Sequence, residues 1–126
     1  MLVAAERDRF DLAGWLEKHP NERFGVSAVT LSELWFGVLR ATSERRGHRE
    51  AFVRDIADVF PIHPFDAPTA RVHAEIWSDL ALRGQLIGAH DLLIAATAIS
   101  AQMGLATLNL KEFRRIRDLK VIDPSA

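Results

Sequence analysis

Three oxygen-bearing side chains stand where the sequence could do chemistry: Glu33, Asp91 and Asn109. Glu33 and Asn109 each follow a short apolar run, and Asp91 opens an apolar helical stretch. Two carboxylates and an amide oxygen suit a hard divalent cation, because Mg²⁺ or Mn²⁺ takes oxygen ligands and keeps several waters. Such a cation orients a water, lowers its pKa and neutralises charge on a phosphodiester. Clustered carboxylates repel one another, and a bound cation is what makes them stable together. Each position also has a local reading. Thr30-Leu31-Ser32-Glu33 fits a capping box, in which Glu33 reaches back to the Thr30 amide. Aspartate is a preferred N-cap, and its charge suits a helix N-terminus. Asn109-Leu110-Lys111-Glu112 is again box-like, and Glu112 is a weaker candidate on that turn. Asp91, however, heads a helix that reads as almost fully buried, where carboxylates are rare unless paired or metal-bound. His90 is a partner for the acids, an RNA contact or a structural group. Thr107 shares a strand face with Asn109 and can hydrogen-bond the site.

Other chemistries are poorly supplied. There is no cysteine, which excludes disulfides and thiolate metal sites. No Gly-x-Ser-x-Gly elbow and no phosphate-cradling glycine loop occurs. The five histidines lack His-x-x-x-His spacing, which argues against zinc. The 126 residues carry a net charge of −1, so the molecule is not a basic nucleic-acid sponge. Only Lys18, Lys111 and Lys120 are lysines among 16 cations. Arginine suits phosphate and desolvated ion pairs, although GC-rich coding gives the same bias. No apolar run is long enough for a membrane span, and Met1–Arg7 lacks a signal-peptide layout, so a cytoplasmic home is the simplest reading.

The positioning elements follow from apolar spacing. The length implies one domain over residues 1–126. Helical spacing predicts a short helix over Asp11–His19, with Leu12, Trp15 and Leu16 on one face. Phe24–Val29 reads as a buried strand and is followed at once by a helix using Leu31, Leu34, Trp35, Val38 and Leu39. Arg40–Arg49 reads as a loop or junction, Ala51–Val59 as helix, and Phe60–Phe65 as a strand near a sheet edge because of its prolines. A helix over Pro68–Arg83 stops at Gly84, and Asp91–Met103 is a helix apolar nearly all round. Leu105–Leu108 and Lys120–Ile122 are the last strands. This alternation predicts an α/β fold with a mostly parallel sheet covered on both faces. Such folds build their sites beyond the carboxyl ends of the strands, and Glu33, Asp91 and Asn109 all fall at strand ends or helix starts. Trp15, Trp35 and Phe36 read chiefly as core, with a helix-in-groove contact as the alternative. Arg40, Arg45, Arg46 and Arg49 read as a solvated face or as phosphate or acidic-segment contacts.

These stretches resemble known blocks. Val26-Ser27-Ala28-Val29-Thr30-Leu31-Ser32-Glu33-Leu34 resembles the second conserved block of PIN-domain ribonucleases. Ile87-Gly88-Ala89-His90-Asp91-Leu92-Leu93-Ile94-Ala95-Ala96-Thr97-Ala98 resembles the third, and Ala106-Thr107-Leu108-Asn109-Leu110-Lys111-Glu112-Phe113 the fourth. In this order they look like the VapC-type toxins of bacterial toxin–antitoxin pairs. The resemblance spans essentially the whole chain. It implies a PIN-like three-layer α/β/α fold and an Mg²⁺- or Mn²⁺-dependent endoribonuclease, neutralised by a cognate antitoxin and plausibly homodimeric. By resemblance Glu33 and Asp91 are metal-binding, catalytic acids, Asn109 occupies a fourth position that is Asp or Asn, and Ser27 and Thr30 are supporting polar residues.

One departure stands out. Family members begin with an apolar, central strand bearing an aspartate. Met1–Val3 can be only the tail of that strand, and Asp8 and Asp11 match the first helix instead. The readings left open are a start placed too far downstream, a degraded toxin, or a folded chain with a weakened metal site. The chain as given is expected to bind Mg²⁺ weakly and to be near-inactive. The rival function is a non-catalytic PIN-fold remnant that binds antitoxin. A DNA or flap nuclease is a further alternative, against which the small size argues.

Overall fold

The computed structural model describes residues 1–4, 14 and 17–125. The expected helix over Asp11–His19 falls mostly outside these residues; Gly14, Glu17 and Lys18 are helical, while Leu12, Trp15, Leu16, Asp8 and Asp11 are not described. The elements are β1 (Leu2–Val3), β2 (Val26–Ser27), α1 (Ala28–Arg40), α2 (Ser43–Val59), β3 (Ile62–His63), α3 (Ala67–Leu82), α4 (Ala89–Ser100), β4 (Leu105–Ala106), α5 (Leu110–Phe113) and β5 (Val121–Ile122).

All strand pairs are parallel. β1 pairs with β4 and β4 with β5, while β2 pairs with β3. A parallel bridge between Leu2 and Gly25 joins the two groups. β1 therefore has chain on both sides. The Leu2 and Ala4 amides donate to Gly104 and Ala106 at 2.8 and 2.9 Å, and the Val3 and Gly25 amides donate to Gly25 and Met1 at 2.9 Å each. The tail of a first strand expected from Met1–Val3 thus takes the middle place.

Side chains alternate across a strand, so a two-residue strand still feeds two cores. Leu2 and Leu105 enter a cluster with Ile76 and Leu80 of α3, Leu92, Ile94 and Ala98 of α4, and Phe113 and Ile116. Val3, Val26 and Ala106 enter another with Leu34 and Val38 of α1 and Val53 and Ile56 of α2. Helices therefore cover both sheet faces, giving the three-layer α/β/α arrangement. No helix among the described residues is long and apolar enough to cross a membrane.

Several boundaries differ from the sequence expectation for local reasons. Helix α1 starts at Ala28, inside the expected Phe24–Val29 strand, because Ser27 caps it: its hydroxyl oxygen accepts from the Thr30 amide at 3.0 Å and its hydroxyl donates to Thr30 Oγ1 at 3.0 Å. Arg40–Arg49 is not a loop beyond Thr42, since α2 begins at Ser43. Its arginines stay on the α1 terminus: Arg46 donates to the Leu39 and Ala41 carbonyls and Arg49 to that of Gly37, each at 3.4 Å. They thereby cover carbonyls that a helix end leaves without intrahelical partners. Phe36 is not core; it is 56% exposed, and Leu39 is also exposed. Trp35 packs against the core and lies under the Arg54 guanidinium, 5.5 Å from its ring centroid.

Loss of the buried Ser27 cap in Ser27→Ala should destabilise the fold by about 1 to 2 kcal/mol, measured by urea unfolding. Asp66 caps α3, and bonds from the Thr69 hydroxyl and amide hold its carboxyl below the ordinary 3.8. A depressed folded-state pKa gives stability that is present above the unfolded value and lost as pH falls through the folded one. The stability gap between wild type and Asp66→Ala should therefore be full at neutral pH and close on acidification in thermal melts.

Candidate active site

Glu33 sits in the second turn of α1, five positions beyond its first residue, Ala28. The expected capping box from Thr30 does not form, because Ser27 already occupies the cap and Thr30 is buried in the first turn. Glu33 is thus released from backbone duty. Its Oε2 lies 3.5 Å from Nδ1 of His90 at the start of α4, with the side chains 43% and 65% exposed. A pair this exposed contributes little to stability, on the order of 0 to 1 kcal/mol. Its value is positional: it places the acid of α1 beside the start of α4.

Helix α4 begins at Ala89, with Gly88 at its N-cap. Asp91 is therefore not the cap but the third helical residue, in the turn where the helix dipole favours negative charge. From Leu92 through Ala98, α4 is buried apart from the half-buried Leu93 and apolar apart from Thr97, whose hydroxyl donates to the Leu93 carbonyl at 2.8 Å. Burial of the helix body fixes the height at which Asp91 stands on the sheet edge.

Asn109 follows β4 and precedes α5. Its side chain makes no capping bond. Its backbone amide instead donates to Oγ1 of the buried Thr107 at 3.0 Å, which sets the turn. The side-chain Nδ2 then donates to Asp91 Oδ2 at 3.2 Å and to Glu112 Oε2 at 3.3 Å. An amide NH₂ has two donors, one for each acid. This bridge is the central geometric fact of the site. Two carboxylates are held against one nitrogen, in an arrangement that like charges would otherwise resist.

Of the residues singled out in the sequence, Asp91 and Asn109 meet directly, and His90 connects to Glu33. Thr107 supports Asn109. Ser27 and Thr30 hold the start of α1 and hydrogen-bond each other. Glu112, the weaker candidate on the Asn109 turn, is brought to the same asparagine side chain. Its signal was the Asn-x-x-Glu spacing, which puts Asn109 and Glu112 one turn apart; Glu112 bonds the asparagine side chain and not the asparagine backbone.

The donors suit a hard cation: carboxylate oxygens of Asp91 and Glu112 with the Asn109 amide group between them. Among the described residues no three His, Cys, Asp or Glu side chains form a ready-made metal cage. Two convergent carboxylates match the habit of Mg²⁺, which is held by one or two carboxylates and keeps water ligands.

Comparison with known proteins shows the family and the fold. Residues 1–119 match the PIN domain family. The chain is 35% identical to ribonuclease VapC1 of Rickettsia felis, over 100% of this chain and 92% of that protein. The crystal structure of VapBC2 from Rickettsia felis bound to a promoter DNA fragment superposes with a TM-score of 0.76 at 30% identity, covering 87% of this chain and 80% of that one. FitAcB from Neisseria gonorrhoeae superposes with a TM-score of 0.80 at 32% identity, covering 90% and 84%.

The weight given to the exposed pair can be checked. His90→Ala should leave the unfolding free energy within about 1 kcal/mol of wild type in urea titrations. A larger loss would mean that the histidine holds α4 in place.

Proposed function

This chain belongs to the PIN-domain family, among the VapC ribonucleases, and we propose that it is a metal-dependent endoribonuclease whose site is formed by Asp91, Glu112, Asn109 and Glu33. The observation that carries the reading is the Asn109 bridge to Asp91 and Glu112 at 3.2 and 3.3 Å. A structural cap would spend these groups on backbone amides. Here they converge on one another at the carboxyl edge of the sheet, where parallel α/β folds build sites.

Asp91 and Glu112 would hold the cation, with Glu33 contributing from α1, and Mg²⁺ or Mn²⁺ suits this oxygen set. When bound, the cation supplies a water of lowered pKa and neutralises charge on the RNA phosphodiester. The chain's own groups do the positioning. Thr107 fixes the turn that presents Asn109. The Asn109 amide holds both acids ready in the absence of a cation, which lowers the cost of assembling them. The position of Asp91 is set by the buried body of α4. His90 stands at the rim beside Glu33, where its ring can donate to a phosphate oxygen. The set contains no thiol or base-activated hydroxyl and its carboxylates are assigned to the cation, so direct attack of water on phosphorus is the step assigned to it.

The same reading includes a protein partner, a cognate antitoxin that restrains cleavage, and a homodimeric state. An antitoxin partner is supported by the likeness to VapBC-5 from Mycobacterium tuberculosis, a member of the VapBC family of toxin-antitoxin systems that superposes with a TM-score of 0.72 at 33% identity, covering 79% of this chain and 81% of that one.

The test is RNA cleavage by the purified chain with Mg²⁺ and with EDTA, in wild type, Asp91→Asn, Glu112→Gln and Glu33→Gln. Cleavage should require the metal and fall by about two orders of magnitude or more in Asp91→Asn, as expected when a ligand that fixes the metal is removed. Cleavage that survives EDTA or is equal in Asp91→Asn would overturn the site. An inactive wild type that still binds its antitoxin would favour the non-catalytic antitoxin-binding module.

A further inference from the structure

The site stands on two arms, the start of α4 with Asp91 and the turn from Asn109 to Glu112, and a pair of arginines outside it ties these arms together. Helix α3 ends at Leu82, and Gly84 adopts φ +65°, a left-handed conformation that glycine takes without strain. The turn is closed by bonds from the Gly84 amide to Ala81 at 3.2 Å and from the Gln85 amide to Leu80 at 2.9 Å. Arg83 lies at this corner. Its Nη2 and Nε donate to Asp79 Oδ2 at 2.6 and 3.0 Å, and its Nη1 donates to Gln85 Oε1 at 3.0 Å. The same Nη2 donates to the Arg115 carbonyl at 2.7 Å, three residues past Glu112. Arg115 returns the contact: its Nη1 donates to the Leu86 carbonyl at 3.1 Å, two residues before the Gly88 cap of α4.

Two crossed bonds therefore join the loop leading to Asp91 with the turn leaving Glu112. Both use main-chain carbonyls, so they fix backbone and not merely side chains. The helix has a built-in comparison. Arg71 and Glu75 form an i,i+4 pair on the same α3 at 3.1 Å, but their side chains are 83% and 65% exposed. Those of Arg83 and Asp79 are 26% and 38% exposed. Only the Arg83 pair reaches across to another element. A guanidinium is suited to this because its planar fork serves several acceptors at fixed angles, which an ammonium cannot do.

We propose that Arg83 and Arg115 are positioning residues for the acidic site, cross-bracing the α3–α4 loop and the turn after α5 so that Asp91 and Glu112 are held at the spacing that Asn109 bridges. The inference rests on the reading of those acids as the metal site. Asp79 takes part by orienting the Arg83 fork; the hydrogen bonds from Arg83 keep its carboxyl below the usual range.

The experiment compares Arg83→Met, Arg115→Met and the control Arg71→Met with wild type in two ways: Mn²⁺ affinity by calorimetry, and amide hydrogen exchange over residues 84–88 and 109–112. The two brace variants should weaken Mn²⁺ binding about tenfold, the low end of what loss of outer supporting contacts costs a metal site. They should also lose exchange protection in both segments together, whereas Arg71→Met should match wild type. Arg83→Lys should recover only part of the affinity. In cleavage assays the brace variants should lower kcat with KM for RNA little changed. Unchanged Mn²⁺ affinity in brace variants that merely melt earlier would overturn the proposal, as would loss of protection in only one segment. Arg115→Met keeps the question answerable if Arg83→Met fails to fold. A wild type that neither binds Mn²⁺ nor cleaves RNA would sink the functional reading, and the exchange data alone would then decide whether the brace exists.

Discussion

The backbone hydrogen bonds along Met1–Ala4 hold the two halves of the sheet together, and the site depends on that join. On one side β1 meets β4, which leads into Thr107 and Asn109; on the other it bridges to Gly25, which leads into β2 and α1 with Glu33. Leu2 and Val3 also send one side chain into each of the two cores. Because a parallel strand pair offers its main-chain groups alternately to both neighbours, two residues suffice to carry both the hydrogen bonding and the alternation. Displacing them would separate the acid of α1 from those of α4 and α5.

Within the site the governing problem is electrostatic. Asp91 and Glu112 carry like charges and share one neighbourhood. The asparagine amide answers this by donating to both, and the first turn of α4 adds the favourable end of a helix dipole for Asp91. Neither contribution neutralises the pair as a cation would. The arrangement is therefore ordered without being neutralised, which is consistent with the cation proposed for it. Outside it, Arg83 spends its donors on Asp79, Gln85 and the Arg115 carbonyl, so its guanidinium is committed to structure.

Much of this was readable from residues, because burial leaves strong periodic marks. The apolar character of α4, the glycine stop at Gly84 and the order of strands and helices all follow from spacing, and that order placed Glu33, Asp91 and Asn109 on one edge. Capping was not readable at the same precision. Ser27 and Thr30 are chemically equivalent as caps, and only the sheet decides that the strand ends at Ser27; once it does, the box predicted at Thr30 is displaced by a turn and Glu33 is set free. Asp91 moved for the same reason when Gly88 took the cap. Arg40–Arg49 reads as a loop or helix junction because its composition is polar; the junction is what forms, with Arg46 and Arg49 bending back to the carbonyls of α1. Phe36 differs in the opposite sense: its aromatic ring suggests core, but it lies outside the spaced set Leu31, Leu34, Trp35, Val38 and Leu39 and is exposed, as is Leu39 within that set.

The pairing of Leu2 with Leu105 also has a consequence in time. During synthesis the centre of the sheet is made long before the strand that flanks it, so β1 waits without its β4 partner while α1 to α4 emerge. Contacts of such sequence separation form late and slowly. The turn bearing Asn109 and Glu112 is later still. The acids thus meet only when nearly the whole domain has left the ribosome, and a chain that cuts RNA spends its nascent life unable to cut the RNA that is making it.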